Sequence, residues 1–300
     1  MTIDQKFIDQ FVNVTSKAAV ASYNFIGKKD KIAADKAAVD SMRNELNNLN
    51  IDGKIVIGEG ELDEAPMLYI GEKIGTSKGP KIDIAVDPLE GTNFAANNLP
   101  GALSVIAIAE KNNLFHAPET YMEKISAKVS EYGVVDLDYS TKENIFNLCE
   151  YLNKKPESIT ACVMDRPRHK KIITELSKIG AKIKLISDGD ISGALLVTDE
   201  KYDVDIFLGI GGSPEGVLAA SALNSFNCIF QGRFLFDTEV DKLRASKMGI
   251  KNLTKKYELN EIVKGDSIFC ATGITSGDLV SGIKVENDKL TTETLVTHKS

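Results

Sequence analysis

The sequence predicts a two-domain α/β protein, and three observations carry that prediction. The chain has 300 residues, enough for two ordinary domains with a substantial core. Its second half alternates apolar β-branched runs with stretches of helical periodicity, the pattern of layered α/β domains. Several of the apolar runs end in acids or glycines, the places where α/β folds gather ligands.

Taken in order, residues 4–26 read as a helix, with Phe7, Ile8, Phe11, Val12, Val14, Ala18, Ala19 and Ser22 at helical spacing and Gly27 as a C-cap. A second helix is expected over 35–49, with Ala38, Met42, Leu46 and Leu49 on one stripe. KIVIGEGE begins as a strand, PMLYIGEKIG (66–75) reads as a helix, and KIDIAVD and GALSVIAIAEK read as strands. After His116 the pattern blurs until the helix ENIFNLCEYLNK. The rest reads as strand SITACVMD, helix RHKKIITELSKIG, strand AKIKLISD, helix DISGALLVTDE, strand VDIFLGI and helix EGVLAASALNSF. A domain boundary is expected at Pro156, dividing the chain into 1–156 and 157–300.

Composition removes several classes of function. A hydrophobic content of 43% with 26% charged residues is that of a globular protein in water. The net charge of -7 lacks the basic excess of a general nucleic-acid binder. Cys149, Cys162, Cys228 and Cys270 form no CxxC pair, so neither a zinc ribbon nor a redox motif is expected, and four reduced thiols fit a cytoplasmic protein. The first residues carry charges throughout, unlike a signal peptide, and no apolar run approaches the roughly 20 residues of a membrane span.

The chemistry concentrates in acids at strand ends. IAVDPLEGT delivers Asp87 and Glu90 after a buried-looking run, VIGEGE delivers Glu59 and Glu61, and GIGGSPEG delivers Glu215; Asp35 stands at the expected start of the second helix. A carboxylate ending an apolar run needs a partner. Pro88 is expected to turn the chain so that Asp87 and Glu90 face one point, where two close carboxylates call for a cation. Oxygen ligands suit Mg²⁺ or Mn²⁺, and no His/Cys cluster points to zinc. Gly91 permits close backbone approach, and Thr92 offers a hydroxyl to orient a water. Taken singly, each D-P-x-E of this kind is more often a turn acid and a solvated glutamate; the repetition of the layout in GEGE and GGSPEG shifts the balance.

Arg166 and Arg168 flank Pro167, and in an extended segment positions two apart share a side, so both guanidiniums reach one anion; a solvated basic patch is the equal alternative. SDGD (187–190) serves equally as a helix cap or as acids for sugar hydroxyls. Gly209, Gly211, Gly212 and Gly216 match no nucleotide-loop spacing, and His116, His169 and His298 are scattered too widely for a histidine triad.

The segments IVIGEGELDEAPMLYIGEKIG, IDIAVDPLEGT, MDRPRH, SDGD, GIGGSPEG, ATGITSGDL and TTETL, in this order, resemble the class II fructose-1,6-bisphosphatases, within the metal-dependent, lithium-sensitive sugar phosphatases. The resemblance runs from the first helix to TTETL. It implies a layered α/β/α/β/α sugar-phosphatase fold of two α/β domains with the site between them. It implies metal ligands at Asp35, Glu59, Asp87, Glu90 and Glu215, and Mn²⁺ or Mg²⁺ as cofactor. Substrate contacts are implied at Glu90, Gly91, Thr92, Tyr121, Arg166, Pro167, Arg168, Asp188, Gly189, Asp190 and Gly212. Thr92 would help activate water, with Lys31, Glu61 and Asp63 as accessory catalytic groups. The implied partner is a small-molecule sugar bisphosphate, not nucleic acid or membrane, and the implied assembly is a homo-oligomer, dimer or tetramer. Asn93 occupies a position that varies in that family between basic and amide residues.

The expected activity is hydrolysis of fructose 1,6-bisphosphate in carbohydrate metabolism, as in gluconeogenesis or the Calvin cycle. Hydrolysis of sedoheptulose 1,7-bisphosphate, alone or beside it, is the alternative. A non-catalytic sugar-phosphate-binding protein would have lost a metal ligand or Thr92, and an inositol monophosphatase would not need the arginine pair.

Overall fold

A computed structural model describes residues 5–60 and 67–300. The chain divides into two compact units, one formed by 1–117 with 263–300 and the other by 118–262. The boundary therefore falls at Ala117–Pro118, not at Pro156, and the chain returns to the first unit at Val263. Pro156 instead opens a short 3₁₀ turn inside the second unit. The length and the α/β alternation could not reveal a tail that goes back to complete an earlier sheet.

The first unit opens with α1 (Phe7–Tyr23) and α2 (Lys31–Asn47). Asp30 caps α2, its carboxylate accepting from the Ala33 amide at 2.9 Å. The helix thus starts four residues before Asp35, and Asp35 lies inside it rather than at its start. β1 (Asp52–Ile57) runs parallel to β3 (Lys81–Glu90) and antiparallel to the two-residue β2 (Lys73–Ile74). α3 (Thr92–Asn97) leads to β4 (Leu103–Glu110), antiparallel to β3.

The chain then builds the second unit. β5 (Tyr121–Ala127) is one of its two middle strands, a strand the sequence pattern did not resolve. α4 (Thr141–Leu152), β6 (Thr160–Met164), α5 (Lys170–Ile179), β7 (Lys182–Ile186), α6 (Asp190–Leu195), β8 (Ile206–Gly212) and α7 (Ser213–Leu223) follow much as the alternation predicted. β9 (Ile229–Leu235), α8 (Glu239–Lys247), β10 (Lys256–Glu258) and the single turn α9 (Leu259–Ile262) close the unit. Back in the first unit come β11 (Ser267–Gly273), the hairpin β12 (Lys284–Glu286) and β13 (Lys289–Thr291), and β14 (Thr294–Lys299).

Each unit has a six-stranded mixed sheet, ordered β14-β11-β4-β3-β1-β2 in the first and β10-β9-β5-β8-β6-β7 in the second. The first core packs Phe11, Val14, Ala18, Met42 and Leu46 of the helices with Ile55, Ile84, Ile106 and Ile268 of the sheet. The second packs Ile145, Leu148 and Leu176 with Ile125, Ala161, Val163 and Ile206. β6 is buried at every residue, as a parallel strand covered on both faces must be. None of the four cysteines forms a disulfide, and burial pushes the Cys228 and Cys270 thiols up to about 12, far from nucleophilic use. Among the described residues, no helix is long and apolar enough to cross a membrane.

The helix expected over 66–75 is absent; Pro66 lies outside the described residues, and 67–72 form turns. Tertiary pairing overrides the apolar pattern. The Gly71 amide donates to the Ile55 carbonyl at 2.8 Å, and the Ile55 amide to the Glu72 carbonyl at 2.9 Å. Glu72, only 5% exposed, accepts from the Leu68 amide and from Arg43 Nε at 2.7 Å, which fixes the turn. Glu72→Ala removes the acceptor of both donors and is expected to cost roughly 1–3 kcal/mol, a fall of several degrees in Tm. Lys36→Ala breaks only the exposed pair with Asp40 and is expected to shift Tm by about a degree or less. Equal shifts in the two thermal scans would refute the brace.

Candidate active site

In the first unit, three of the acids picked out from the sequence, Glu59, Asp87 and Glu90, lie at the C-terminal ends of two parallel strands. Glu59 follows β1, its amide donating to the Leu68 carbonyl at 3.0 Å. Asp87 and Glu90 lie on β3 itself, which runs straight through Pro88. Asp87 stands opposite Val105 and Glu90 opposite Leu103, three residues against two, so a bulge carries the extra residue. Pro88 is tolerated there because β3 pairs with β1 only as far as Ala85, so no ladder bond to β1 is lost. The expected turn is thus a bulge, which re-aims side chains without ending the strand. Gly91, at φ 76°, adopts the left-handed conformation that breaks β3 into α3, whose first residue is Thr92. Thr92 is half-buried, Glu90 is 5% exposed, and Asn93 is exposed.

α2, which carries Lys31 at its exposed first position and the half-buried Asp35, packs on β3 and α3. Burial pushes the Asp35 carboxyl above its ordinary range. Glu61 and Asp63 lie outside the described residues. Among the described residues, no group of three or more His, Cys, Asp or Glu side chains is placed to hold a metal ion. The donor chemistry of Asp35, Glu59, Asp87 and Glu90 nevertheless fits a hard divalent cation, since every donor is a carboxylate oxygen.

The second unit brings its predicted residues together more fully. β6, β7 and β8 run parallel, so the loops after their C-terminal ends share one edge. Arg166, Pro167 and Arg168 follow β6; Asp188, Gly189 and Asp190 follow β7; Gly212 ends β8. Tyr121 joins them because β5 is antiparallel to β8, which sets Tyr121 directly opposite Gly212. The Arg168 guanidinium lies 4.9 Å from the Tyr121 ring centroid, and its Nε donates to the Ile210 carbonyl at 2.8 Å. Arg166 Nη2 lies 3.4 Å from Asp188 Oδ1. Arg168 and Pro167 are exposed, and Arg166 and Asp188 half-buried, so both guanidiniums are open to a ligand.

Glu215 sits in the first turn of α7, and the missing Cβ of Gly212 leaves room for its carboxylate. Desolvation pushes the Glu215 carboxyl up, opposed by the positive charge of Lys124. Lys124 is 1% exposed; its Nζ pairs with Asp190 Oδ2 and donates to the Gly212 carbonyl at 2.7 Å.

The chain matches the family model described as bacterial fructose-1,6-bisphosphatase, glpX-encoded, over residues 5–300. The chain belongs to this family. A relative from Synechococcus sp. (strain CC9902), named D-fructose 1,6-bisphosphatase class 2/sedoheptulose 1,7-bisphosphatase, is 42% identical over 98% of this chain and 92% of its own. One of the same name from Synechocystis sp. is 41% identical over 96% of this chain and 90% of its own. A solved extragenic suppressor from Pyrococcus furiosus superposes on 64% of this chain and 70% of its own, at TM-score 0.34 and 12% identity. Family membership makes the chain a phosphoric monoester hydrolase, as the motifs led us to expect.

Sequence reasoning passed over two residues here. Lys124 carried a faint signal, since it shares the alternating face of β5 with the buried Met122 and Ser126. His169 carried none, and stood as one of three scattered histidines. It is 0% exposed. Its Nε2 accepts from the Ile210 amide at 2.8 Å, so Nδ1 carries the proton and donates to the Met164 carbonyl at 2.7 Å. This staple ties the end of β6 to β8 and sets the arm that bears Arg166 and Arg168.

Burial pushes the His169 pKa below its ordinary 6.5. The unfolded chain therefore takes up a proton below about pH 6.5 that the folded chain refuses, so this contribution to stability is full above that pH and is lost as pH falls. His169→Phe keeps a ring but removes both hydrogen bonds, and is expected to cost roughly 2–4 kcal/mol at pH 7.5. Between pH 7.5 and 5.5 the wild type should lose more Tm than the variant. His116, also lowered by burial, is present in both and cancels in the comparison. Parallel losses of Tm would refute the neutral staple.

Proposed function

We propose that the protein hydrolyses fructose 1,6-bisphosphate at its 1-phosphate, releasing fructose 6-phosphate and inorganic phosphate, with Mn²⁺ or Mg²⁺ bound. The observation that carries this reading is the gathering of Arg166, Arg168, Tyr121, Asp188, Asp190 and Gly212 at one sheet edge of the second unit. A phosphate that is held but not cut needs such cations, and a sugar needs such carboxylates. Family membership supports a sugar bisphosphate as the ligand of that edge.

Asp35, Glu59, Asp87, Glu90 and Glu215 are the residues that would hold the cation. When bound, it supplies positive charge beside the phosphate oxygens and lowers the pKa of water. Thr92, at the start of α3, orients the attacking water with its hydroxyl, and Gly91 lets the backbone approach the phosphate. Attack forms the new P–O bond in line as the bond to the C1 oxygen breaks; the attacking water gives up a proton and the leaving alkoxide takes one up. Lys31, Glu61 and Asp63 are the accessory groups for these proton movements. Arg168, held by the Ile210 carbonyl and the Tyr121 ring, binds the 6-phosphate together with Arg166. Asp188 and Asp190 accept from sugar hydroxyls.

Sedoheptulose 1,7-bisphosphate is a second substrate on this reading. It shares the end that is cut, and the Synechococcus and Synechocystis relatives carry both activities in their names. The reading also carries a cytoplasmic location and a homo-oligomer, dimer or tetramer, which light scattering on the purified chain reads directly.

The decisive experiment is phosphate release from both bisphosphates and from sugar monophosphates, before and after chelation. Chelation is expected to abolish turnover, Mn²⁺ or Mg²⁺ to restore it, and Zn²⁺ to fail, because the donor set is all oxygen. Full turnover by metal-stripped protein would refute the metal's role.

Arg168→Ala tests the second-phosphate site. A charged hydrogen bond is worth about 1.5–3 kcal/mol, so kcat/KM on fructose 1,6-bisphosphate should fall about ten- to a hundredfold. Most of the loss is expected in KM, since the same group is bound in ground and transition states. The loss on an aryl phosphate should be smaller, and equal losses on both substrates would remove Arg168 from that role.

A further inference from the structure

We propose that Lys124 is a positioning residue for sugar recognition: it anchors Asp190 and the Gly212 carbonyl at one point and so aims the second carboxylate oxygen of Asp190 at a sugar hydroxyl. The identity of the ligand rests on the reading above; the anchor rests on the second unit alone.

Lysine is almost never fully buried unless paired, and Lys124 is 1% exposed on the strand between β9 and β8. Its ammonium carries three donors. One meets Asp190 Oδ2 and another the Gly212 carbonyl at 2.7 Å. Both acceptors belong to the ligand edge: Asp190 is the first residue of α6, and Gly212 the last of β8.

The surrounding backbone makes room for this group. A Cβ on Gly211 would collide with the Asp190 carboxylate. A Cβ on Gly216 would lie 2.6 Å from Met122 Sδ and 3.3 Å from Lys124 Cδ. The sequence thus spends glycines on both sides of the pair.

The two oxygens of Asp190 differ. Oδ2 is taken by Lys124, while Oδ1 is buried and has no hydrogen-bond partner among the described residues. A buried carboxylate oxygen left open costs free energy in the empty protein, and that cost is relieved when a donor arrives. A sugar hydroxyl is a donor of the kind this oxygen lacks. A pair serving only the fold has no use for the open oxygen, nor for a link to Gly212, which faces Tyr121 across the strand pair.

The test is a double-mutant cycle on the full chain, with Lys124→Met, Asp190→Asn and the double variant assayed with Mn²⁺ for phosphate release from fructose 1,6-bisphosphate, alongside thermal scans. Lys124→Met is expected to raise KM about tenfold or more, with a smaller fall in kcat. In the Asp190→Asn background the same change should move KM by less than about threefold, because Lys124 acts through Asp190. The double variant should regain Tm over Lys124→Met, since the Asp190 carboxylate is then no longer left without its partner.

A KM for Lys124→Met within about twofold of wild type would reduce the pair to a structural one, whatever its Tm. Effects that multiply in the double variant would refute the route through Asp190. If Lys124→Met does not fold, comparing the double variant with Asp190→Asn carries the same test: equal KM supports the role, and a further tenfold rise overturns it. A wild type that releases no phosphate brings down the functional reading and this role with it. A working wild type beside an unmoved Lys124→Met brings down this role alone.

Discussion

A charge taken out of water must be met inside the fold, and the pairing of Lys124 with Asp190 is where the second unit meets that constraint. A middle strand of a sheet is a poor place for an ammonium. Here it is useful because it reaches the first residue of α6 and the last of β8 together. The ends of two elements are thereby held in register by one group, beyond what their backbone pairing supplies. His169 does the same with neutral chemistry between β6 and β8. The half-buried Arg166 and the exposed Arg168 thus stand on a segment whose base is fixed by buried bonds. That is the arrangement a flexible, charged side chain needs if it is to bind one anion in one geometry.

The first unit meets the same constraint through backbone geometry. Asp87 and Glu90 remain on one strand because a bulge absorbs the extra residue and Pro88 sits beyond the reach of β1. A turn would have released the strand end into a loop. The bulge keeps Glu90 paired in register with Leu103 and leaves Gly91 to swing the chain into α3. Thr92 then lies two residues from a buried glutamate, at a position set by a strand and a helix together.

What could be read from the sequence follows from the range of the forces involved. α1, α4 and the β6–α7 alternation were legible because periodicity records burial, and burial is what forms them. The segment after Pro66 misled because an apolar run does not say whether a helix or a turn against β1 will bury it. That choice was made by the pairing of Glu72, within the segment, with Arg43, 29 residues away. The start of α2 was misplaced because Asp30, not Asp35, is the cap. The site acids at strand ends were legible one by one, and Arg166, Arg168, Tyr121 and Asp188 do gather. The roles of Lys124 and His169 were not legible: Asp190 lies 66 residues from Lys124 and Ile210 lies 41 from His169, separations no local pattern encodes.

The return of the chain at Val263 explains why the boundary could not be read locally, and it has a mechanical consequence. β11 lies between β4 and β14, antiparallel to both, so the last segment supplies two of the six strands of the first sheet. Without it, β4 would show a bare edge of seven consecutive residues, from Leu103 to Ala109, most of them apolar. Thr272 on β11 also donates at 2.7 Å to the Thr15 hydroxyl of α1, a buried link across 257 residues. The first unit is therefore completed only after the second has been made. During synthesis, the sheet that presents Asp87 and Glu90 gains its final strands last, which couples its assembly to the whole chain.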